Sequence, residues 1–276
     1  MKYASFRRPD GGGAFGRVEG DRVVELTGAA DLKSAIASGA LASLPAGGSW
    51  TLDEVELLPV IPNPGKIICI GLNYETHRQE TGRAEAEHPA VFTRFADTLV
   101  AHRAPIVRPK VSTHLDYEGE LALVIGEGGR AIAREQALAH VAGYACFNEA
   151  SVRDWQRHNI QFTPGKNFPG TGAFGPWLVT PDEAGELGPQ RVVTRLNGQV
   201  VQDQPISEMI WPVEELIAYV SAFTPLAPGD VIATGTPGGV GARRDPPLWM
   251  QPGDVVEVEI GRMGRLVNPI SAEVRP

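Results

Sequence analysis

Apolar positions in this chain come in short runs, broken by glycine and proline rather than by long polar stretches. Residues 66–70, 91–95, 105–107, 118–126 and 141–147 have the length and β-branched content of strands. Residues 192–202 predict a hairpin, because Asn197-Gly198 suits a two-residue turn with both residues at positive φ. Helical spacing is rarer. It occurs at Leu32, Ile36 and Leu41 within residues 31–44, over residues 133–140, and at Leu216, Ile217 and Val220 behind the first-turn proline Pro212. Another helix is expected to start after Asn148-Glu149, with Ser151 as its N-cap. The pattern predicts an α+β, β-rich protein. Pro59, Pro62 and Pro64 form a stiff crossover between a small N-terminal α/β unit, residues 1–60, and a larger unit, residues 61–276.

Composition narrows the function. The 276 residues carry a formal charge of −8, which argues against a surface for nucleic acid or an anionic membrane. No apolar stretch reaches the length of a membrane span, and the first residues lack the apolar core of a secretion signal. Cys69 and Cys146 lie in apolar segments without metal-binding or redox spacing, as expected of buried thiols in a cytoplasmic protein. The expected partner is a small molecule.

The chemistry starts at Asp116-Tyr117-Glu118-Gly119-Glu120. Side chains i and i+2 share one face of a strand, so Glu118 and Glu120 point the same way with nothing on Gly119 between them. At the mouth of a buried strand such a pair needs a cation or a set of donors. A solvated strand end is the competing reading. Glu149 stands at another strand end beside a helix start, where an acid also suits the helix dipole. One or two helical turns over residues 75–82 would put His77 and Glu80 on one side. The carboxylate would then orient the imidazole as a general base, unless the two are a chance surface pair. Residues 83–88 are polar and uncapped, fit for a lid. Lys166 lies in a Gly/Pro-rich loop, either solvated or aimed at an anion. Residues 234–241 are glycine-rich but lack the Lys-Ser/Thr of a phosphate loop, so their backbone is expected to approach a small anion rather than a nucleotide. No HExxH, GxSxG or Cys/His zinc spacing is present. Three carboxylates without thiolates or imidazoles make a hard oxygen site, suited to Mg²⁺ or Mn²⁺ and to a chelating 2-oxo acid.

In this order the segments resemble the fumarylacetoacetate hydrolase family over about residues 61–270. The likeness rests on Ile70-Gly71-Leu72-Asn73-Tyr74 with His77 and Glu80, and on residues 116–121 and 148–156. It rests also on Gly165-Lys166-Asn167-Phe168, on Gly175-Pro176-Trp177 and on residues 229–237. The resemblance implies a mixed β-sandwich roll, commonly a homodimer, and a Mg²⁺- or Mn²⁺-dependent enzyme acting on 2-oxo or 2,4-dioxo acids. It implies that Glu118, Glu120 and Glu149 hold the metal, and that His77 and Glu80 are a water-activating dyad on a closing lid. Lys166, Gln156 and Thr236 would hold substrate oxygens, with Arg153 supporting them. There are two departures. Glu149 stands where the family usually has aspartate, one methylene shorter. Leu72 stands where many relatives in the acylpyruvase group carry arginine, and Arg94, where relatives often have lysine, is a candidate to compensate in substrate binding.

The first expectation is hydrolysis of a carbon–carbon bond in an acylpyruvate-like 2,4-dioxo acid, releasing pyruvate through its enolate. Decarboxylation of an oxaloacetate-type β-keto acid shares that enolate. So does isomerisation or hydration of an unsaturated 2-oxo diacid. A binding protein with a degraded site is the alternative from another class. Glu149 favours it, and the joint retention of His77, Glu80, Glu118, Glu120 and Lys166 argues against it.

Overall fold

The computed structural model describes residues 1–274. A sheet of twelve strands runs through it, built on three antiparallel strands, Gly119–Ile125, Val141–Glu149 and Gly172–Val179. Both faces of these strands are covered, so they read as near-continuous apolar runs rather than as alternation. Val231–Ala233 pairs with Gly119–Ile125, Ile67–Gly71 follows in parallel, and Ala90–Arg94 forms that edge. On the other side Lys2–Arg7 pairs with Gly172–Val179 through Lys2↔Val179 and Tyr3↔Leu178. Gly13–Glu19, Arg22–Leu26 and Ala46–Thr51 continue from it to the far edge.

A second sheet of five strands orders Gln199–Pro205, Arg191–Leu196, Val255–Ile260, Gly264–Ala272 and Ile106–Arg108. Leu121, Leu123 and Ile125 share one core with Val192, Val256, Val258 and Ile260 of this sheet. The intervening Ala122 and Val124 face the other way, into a core with Leu32, Ile36 and Ile61. The period-2 geometry of one central strand therefore serves two cores. The result is the β-rich α+β sandwich expected from the sequence.

Helices are short. The first is Leu32–Ala37, with Asp31 accepting the Ser34 N–H at 2.7 Å, and the apolar spacing beyond it ends in one 3₁₀ turn, Leu41–Ser43. The stretch Arg134–His140 is also 3₁₀. The helix Val213–Phe223 lays Leu216, Ile217 and Val220 on the core. The hairpin turns at Asn197 and Gly198, with φ of +51° and +78°. Ser151 does not cap a helix. It belongs to a two-residue strand paired with Leu115–Asp116, and the helix Arg153–Gln156 starts after it without a side-chain cap. Among the described residues no helix is long and apolar enough to cross a membrane.

Candidate active site

The site is set by strand register. Gly119 pairs with Asn148, so the start of one strand lies beside the end of the next, and Glu149 N–H donates to Glu118 O at 2.8 Å. Glu118, Glu120 and Glu149 thus converge, each offering an oxygen within 4.8 Å of the others. Gly119 is required by crowding. A Cβ there would meet Thr194 Oγ1 at 2.0 Å.

All three carboxylates are buried, and their surroundings differ. Glu118 receives Lys166 Nζ in a very short contact and the Ser151 hydroxyl at 2.8 Å, and it forms an ion pair with Arg153 Nη2 at 2.8 Å. Burial works to raise its pKa, but the Arg153 and Lys166 cations more than reverse this and hold it below the usual carboxylate range. Glu149 Oε2 accepts from Lys166 at 2.9 Å, while its Oε1 has no hydrogen-bond partner and Arg94 Nη1 lies 3.7 Å away. Glu120 accepts the Gly235 N–H at 2.9 Å and touches no cation. Burial, and then repulsion by Glu149 and Glu118, pushes its pKa well up. Lys166 lies 4.8 Å from the centre of the Phe92 ring. Burial lowers its pKa, and the two glutamates carry it above the ordinary value, so it is an ammonium.

His77 sits on the helix Glu75–Thr81, with Nδ1 2.6 Å from Glu80 Oε1. Glu80 Oε2 accepts the Gly239 N–H at 2.8 Å. The glycine-rich loop therefore holds protein carboxylates and not a free anion as expected. Gly235 serves Glu120, Gly239 serves Glu80, and Gly241 with Ala242 serves Asp116.

Eight of the ten residues singled out in the sequence line one cavity of about 430 Å³: His77, Glu118, Glu120, Glu149, Arg153, Gln156, Lys166 and Thr236. Glu80 stands behind His77. Arg94 does not reach the cavity. Its buried guanidinium lies behind Glu149, bonded to Thr171 Oγ1 at 2.6 Å and Ala150 O at 3.2 Å, so it supports the floor instead of facing a substrate. The Thr236 hydroxyl is engaged too, donating to Gly119 O and accepting from Gln202. Gln156 accepts from Arg153 through Oε1, which leaves its amide nitrogen for the cavity.

Four residues that the sequence did not mark as site residues hold this frame. Asp116 takes Arg153 Nε at 2.8 Å, Ser151 braces Glu118, Gln202 receives the Gly119 N–H at 3.0 Å, and Asn73 grips Trp211 and Thr234. Asn73 follows Leu72, whose φ of +57° is unusual for a branched side chain and occurs at the cavity wall. The readable signal was polarity at inward positions, such as Gln202 within a hairpin strand.

Residues 66–271 match the family described as fumarylacetoacetate hydrolase, C-terminal, and residues 1–59 match one described as Rv2993c-like, N-terminal. The chain belongs to the fumarylacetoacetate hydrolase family. An oxaloacetate tautomerase of Bacillus subtilis strain 168 is 43% identical over 227 residues, covering 80% of this chain and 75% of that protein. A human mitochondrial oxaloacetate tautomerase is 40% identical over 219 residues, covering 79% and 70%. Among solved structures, a fumarylacetoacetate hydrolase from psychrophilic Exiguobacterium antarcticum superposes with a TM-score of 0.85 at 36% identity, over 99% of this chain and 100% of that one. A 2-hydroxyhepta-2,4-diene-1,7-dioate isomerase from Mycobacterium marinum gives 0.84 at 30% identity, over 100% of both chains.

Members of this family commonly bind divalent metals. The residues here fit one. Four buried acids, with Asp116 included, face three buried cations, Arg94, Arg153 and Lys166. Glu120 is the acid left without a counter-charge, and Glu149 Oε1 is an orphaned acceptor beside it. An all-oxygen donor set of this kind suits a hard cation.

Proposed function

We propose that this protein moves a proton between carbon and oxygen of a 2-oxo diacid, interconverting keto and enol forms, with Mg²⁺ or Mn²⁺ held by Glu118, Glu120 and Glu149. One observation carries the reading: the three carboxylates, Lys166 and the His77 ring line the same cavity. A bound divalent ion supplies Lewis-acid stabilisation to an oxygen on which negative charge develops. The rest is work for side chains. Glu80, fixed by the Gly239 N–H, accepts a hydrogen bond from the His77 Nδ1–H, so Nε2 carries the free lone pair. In the keto-to-enol direction that nitrogen removes a proton from the carbon beside the oxo group and delivers it to the enolate oxygen; in the reverse direction it takes the enol proton from oxygen and delivers it to that carbon. Lys166 has three donors, of which Glu118 and Glu149 use two. The third donates to the developing enolate oxygen. The Gln156 amide positions the acid's carboxylate. The relatives named as oxaloacetate tautomerases support this reading.

Hydrolysis of an acylpyruvate-like acid is the second reading. The His77–Glu80 pair favours it, since the same nitrogen can deprotonate a water. The test is a panel of enol oxaloacetate, acylpyruvates and longer 2-oxo diacids, each with Mg²⁺, Mn²⁺ or chelator. Tautomerisation is expected to speed decay of the enol band without releasing pyruvate. Pyruvate with a second acid marks a hydrolase, and pyruvate with carbon dioxide marks a decarboxylase. Turnover of no acid with either metal overturns the enzymatic reading and leaves a binding protein.

A further inference from the structure

A second cavity, of about 260 Å³, shares a wall with the first. The helix Glu75–Thr81, residues 84–90 and the pair Ile210 and Trp211 bound it. Gly71 and Leu72 line both cavities. Glycine has no side chain, so among the described residues Leu72 offers the one side chain common to the two linings. The helix divides them as well. His77 and Thr81 line the first cavity, Glu75 and Arg78 the second.

Leu72 holds a φ of +57°, a conformation that glycine adopts freely and a bulky side chain rarely does. Its neighbour enforces it. Asn73 Oδ1 accepts the Trp211 N–H at 2.8 Å, and the Asn73 amide donates to Thr234 O at 2.7 Å and to Trp211 O at 3.0 Å. The Asn73 carbonyl accepts the Ile210 N–H at 2.8 Å. The same bonds thus fix the backbone beside Leu72 and the far wall of the second cavity. Strain of this kind persists where its surroundings over-determine it, and it gathers at functional sites.

Charges around the second cavity are answered within the protein. Arg78 Nε donates to Glu75 at 2.8 Å, its Nη1 donates to Arg83 O at 2.7 Å, and Glu85 lies 3.9 Å from it. What remains is Leu72, Ala84, Ala86, Ala90, Ile210 and Trp211, a surface for an uncharged carbon group. A dry cavity of about 150 Å³ holds benzene, so this one has room for a ring.

We infer that Leu72 is a specificity-determining residue: its side chain is the partition that shuts a latent apolar subsite off from the acid bound at the carboxylate floor. Leu72 and His77 belong to one segment, so the carbon that exchanges its proton with His77 faces the wall that Leu72 forms. A large group on that carbon meets Leu72 and is kept out of the second cavity. This rests on the function proposed above for the floor of the site.

Calorimetry with Mg²⁺ present compares phenylpyruvate with pyruvate, which share the chelating end and differ by a phenyl ring on the reactive carbon. In L72G, where the φ suits glycine, the preference for phenylpyruvate is expected to rise about 30-fold over that of the wild type, as a ring's apolar area enters the second cavity. L72A, which keeps a Cβ, should give a smaller rise. In L72G/A90L the second cavity is filled from the strand Ala90–Arg94, and the preference is expected to return to the wild-type value. The unfolding midpoint reports that the variants are folded. An unchanged preference in L72G and L72A overturns the inference. So does a rise that survives Ala90→Leu, because the ring has then gained room in the first cavity alone. Failure of both acids to bind any of these proteins removes the inference together with the reading it rests on. A rise that Ala90→Leu abolishes, without turnover of any 2-oxo acid, upholds the partition and removes the catalytic proposal instead.

Discussion

The N-terminal end of the long sheet and its central strands use their buried space in opposite ways. Through residues 1–60 the interior is apolar, with Tyr3, Phe6, Phe15, Leu26, Leu32 and Ile36 all buried. Ser5 is the one buried polar side chain there among the described residues, and it donates to Val60 O at 2.8 Å. Two strands further in, Asp116, Glu118, Glu120 and Glu149 bury four acids around three cations. Burial of an ion costs several kcal/mol even after relaxation, and a pair recovers this only with good geometry and further hydrogen bonds. Glu118 has such a set of partners and Glu120 does not. The apolar end is what hydrophobic burial alone produces. The acidic centre is kept in spite of its cost, which is the signature of a ligand cation that completes it. Substitutions should therefore separate chemistry from stability according to the region they touch.

The largest expected effect is at the acidic centre. His77→Ala removes the group proposed to carry the proton and should lower kcat about 1,000-fold, equivalent to about 4 kcal/mol. The thermal shift produced by Mg²⁺ should persist, because His77 is not among the three carboxylates. Retained turnover, or loss of that shift, would break the assignment of separate roles. The mirror experiment is Leu32→Ala. Leu32 is fully buried in the core on the face of the sheet that Ala122 and Val124 also line, and deletion of its side chain should cost about 3 kcal/mol of unfolding free energy. Turnover per folded molecule should not change, as measured by activity below the unfolding midpoint. A fall in kcat there would mean that the N-terminal end and the centre of the sheet are coupled.

How far the sequence foretold this division follows from what kind of pattern each feature leaves. Strands 119–125 and 141–149 are apolar on both faces, so their existence was plain, while the facing of each residue was not. Glu118 and Glu120 were legible because a period of two allows just one arrangement of their side chains. Glu149 joined them through antiparallel register, a long-range property that no local spacing encodes. Arg94 was misread for a related reason. Its strand pairs with Ile67–Gly71 at the sheet edge, and only the folded sheet shows that its side chain passes behind Glu149. The glycine loop was read as an anion cradle on sound backbone chemistry. Its anions turned out to be Glu80, Glu120 and Asp116, which lie more than a hundred residues away in sequence. Ser151 looked like a cap because serine before a helical run usually is one. A two-residue pairing with Leu115–Asp116 took it instead.

A smaller effect sharpens the contrast within the acidic centre itself. Glu120→Gln replaces the one buried carboxyl there that no cation answers, whose pKa burial and the neighbouring Glu149 and Glu118 push up, and the new amide can donate toward the orphaned Glu149 Oε1. In chelator the variant should unfold about 1–2 kcal/mol less readily than the wild type, in line with other buried charges that serve function rather than stability. The stabilisation that Mg²⁺ or Mn²⁺ gives the wild type should disappear. Urea denaturation with and without metal measures both. If the variant is less stable in chelator, the buried carboxyl of Glu120 is not the cost inferred here.

The smallest effect belongs to the seam between the two sheets. His102 packs against Gly175 of the large sheet and accepts the Val267 N–H of the second sheet on Nδ1 at 3.1 Å. That bond requires a lone pair on Nδ1. Burial, assisted by Arg103 and Arg265, pushes the imidazole down to about 4. The unfolded chain titrates near 6.5, so it binds a proton first as the pH falls. The contribution to stability is whole above about pH 6.5 and is lost progressively as the pH drops toward 4. With partial solvent screening the loss should be about 1–2 kcal/mol. His102→Asn keeps an acceptor for Val267 and has no titrating group. Its stability should therefore fall less than that of the wild type between pH 6.5 and pH 4.5, as read from urea midpoints, with turnover per folded molecule the same in both. Parallel pH curves for the two proteins would show that acid loosens the molecule somewhere other than this seam.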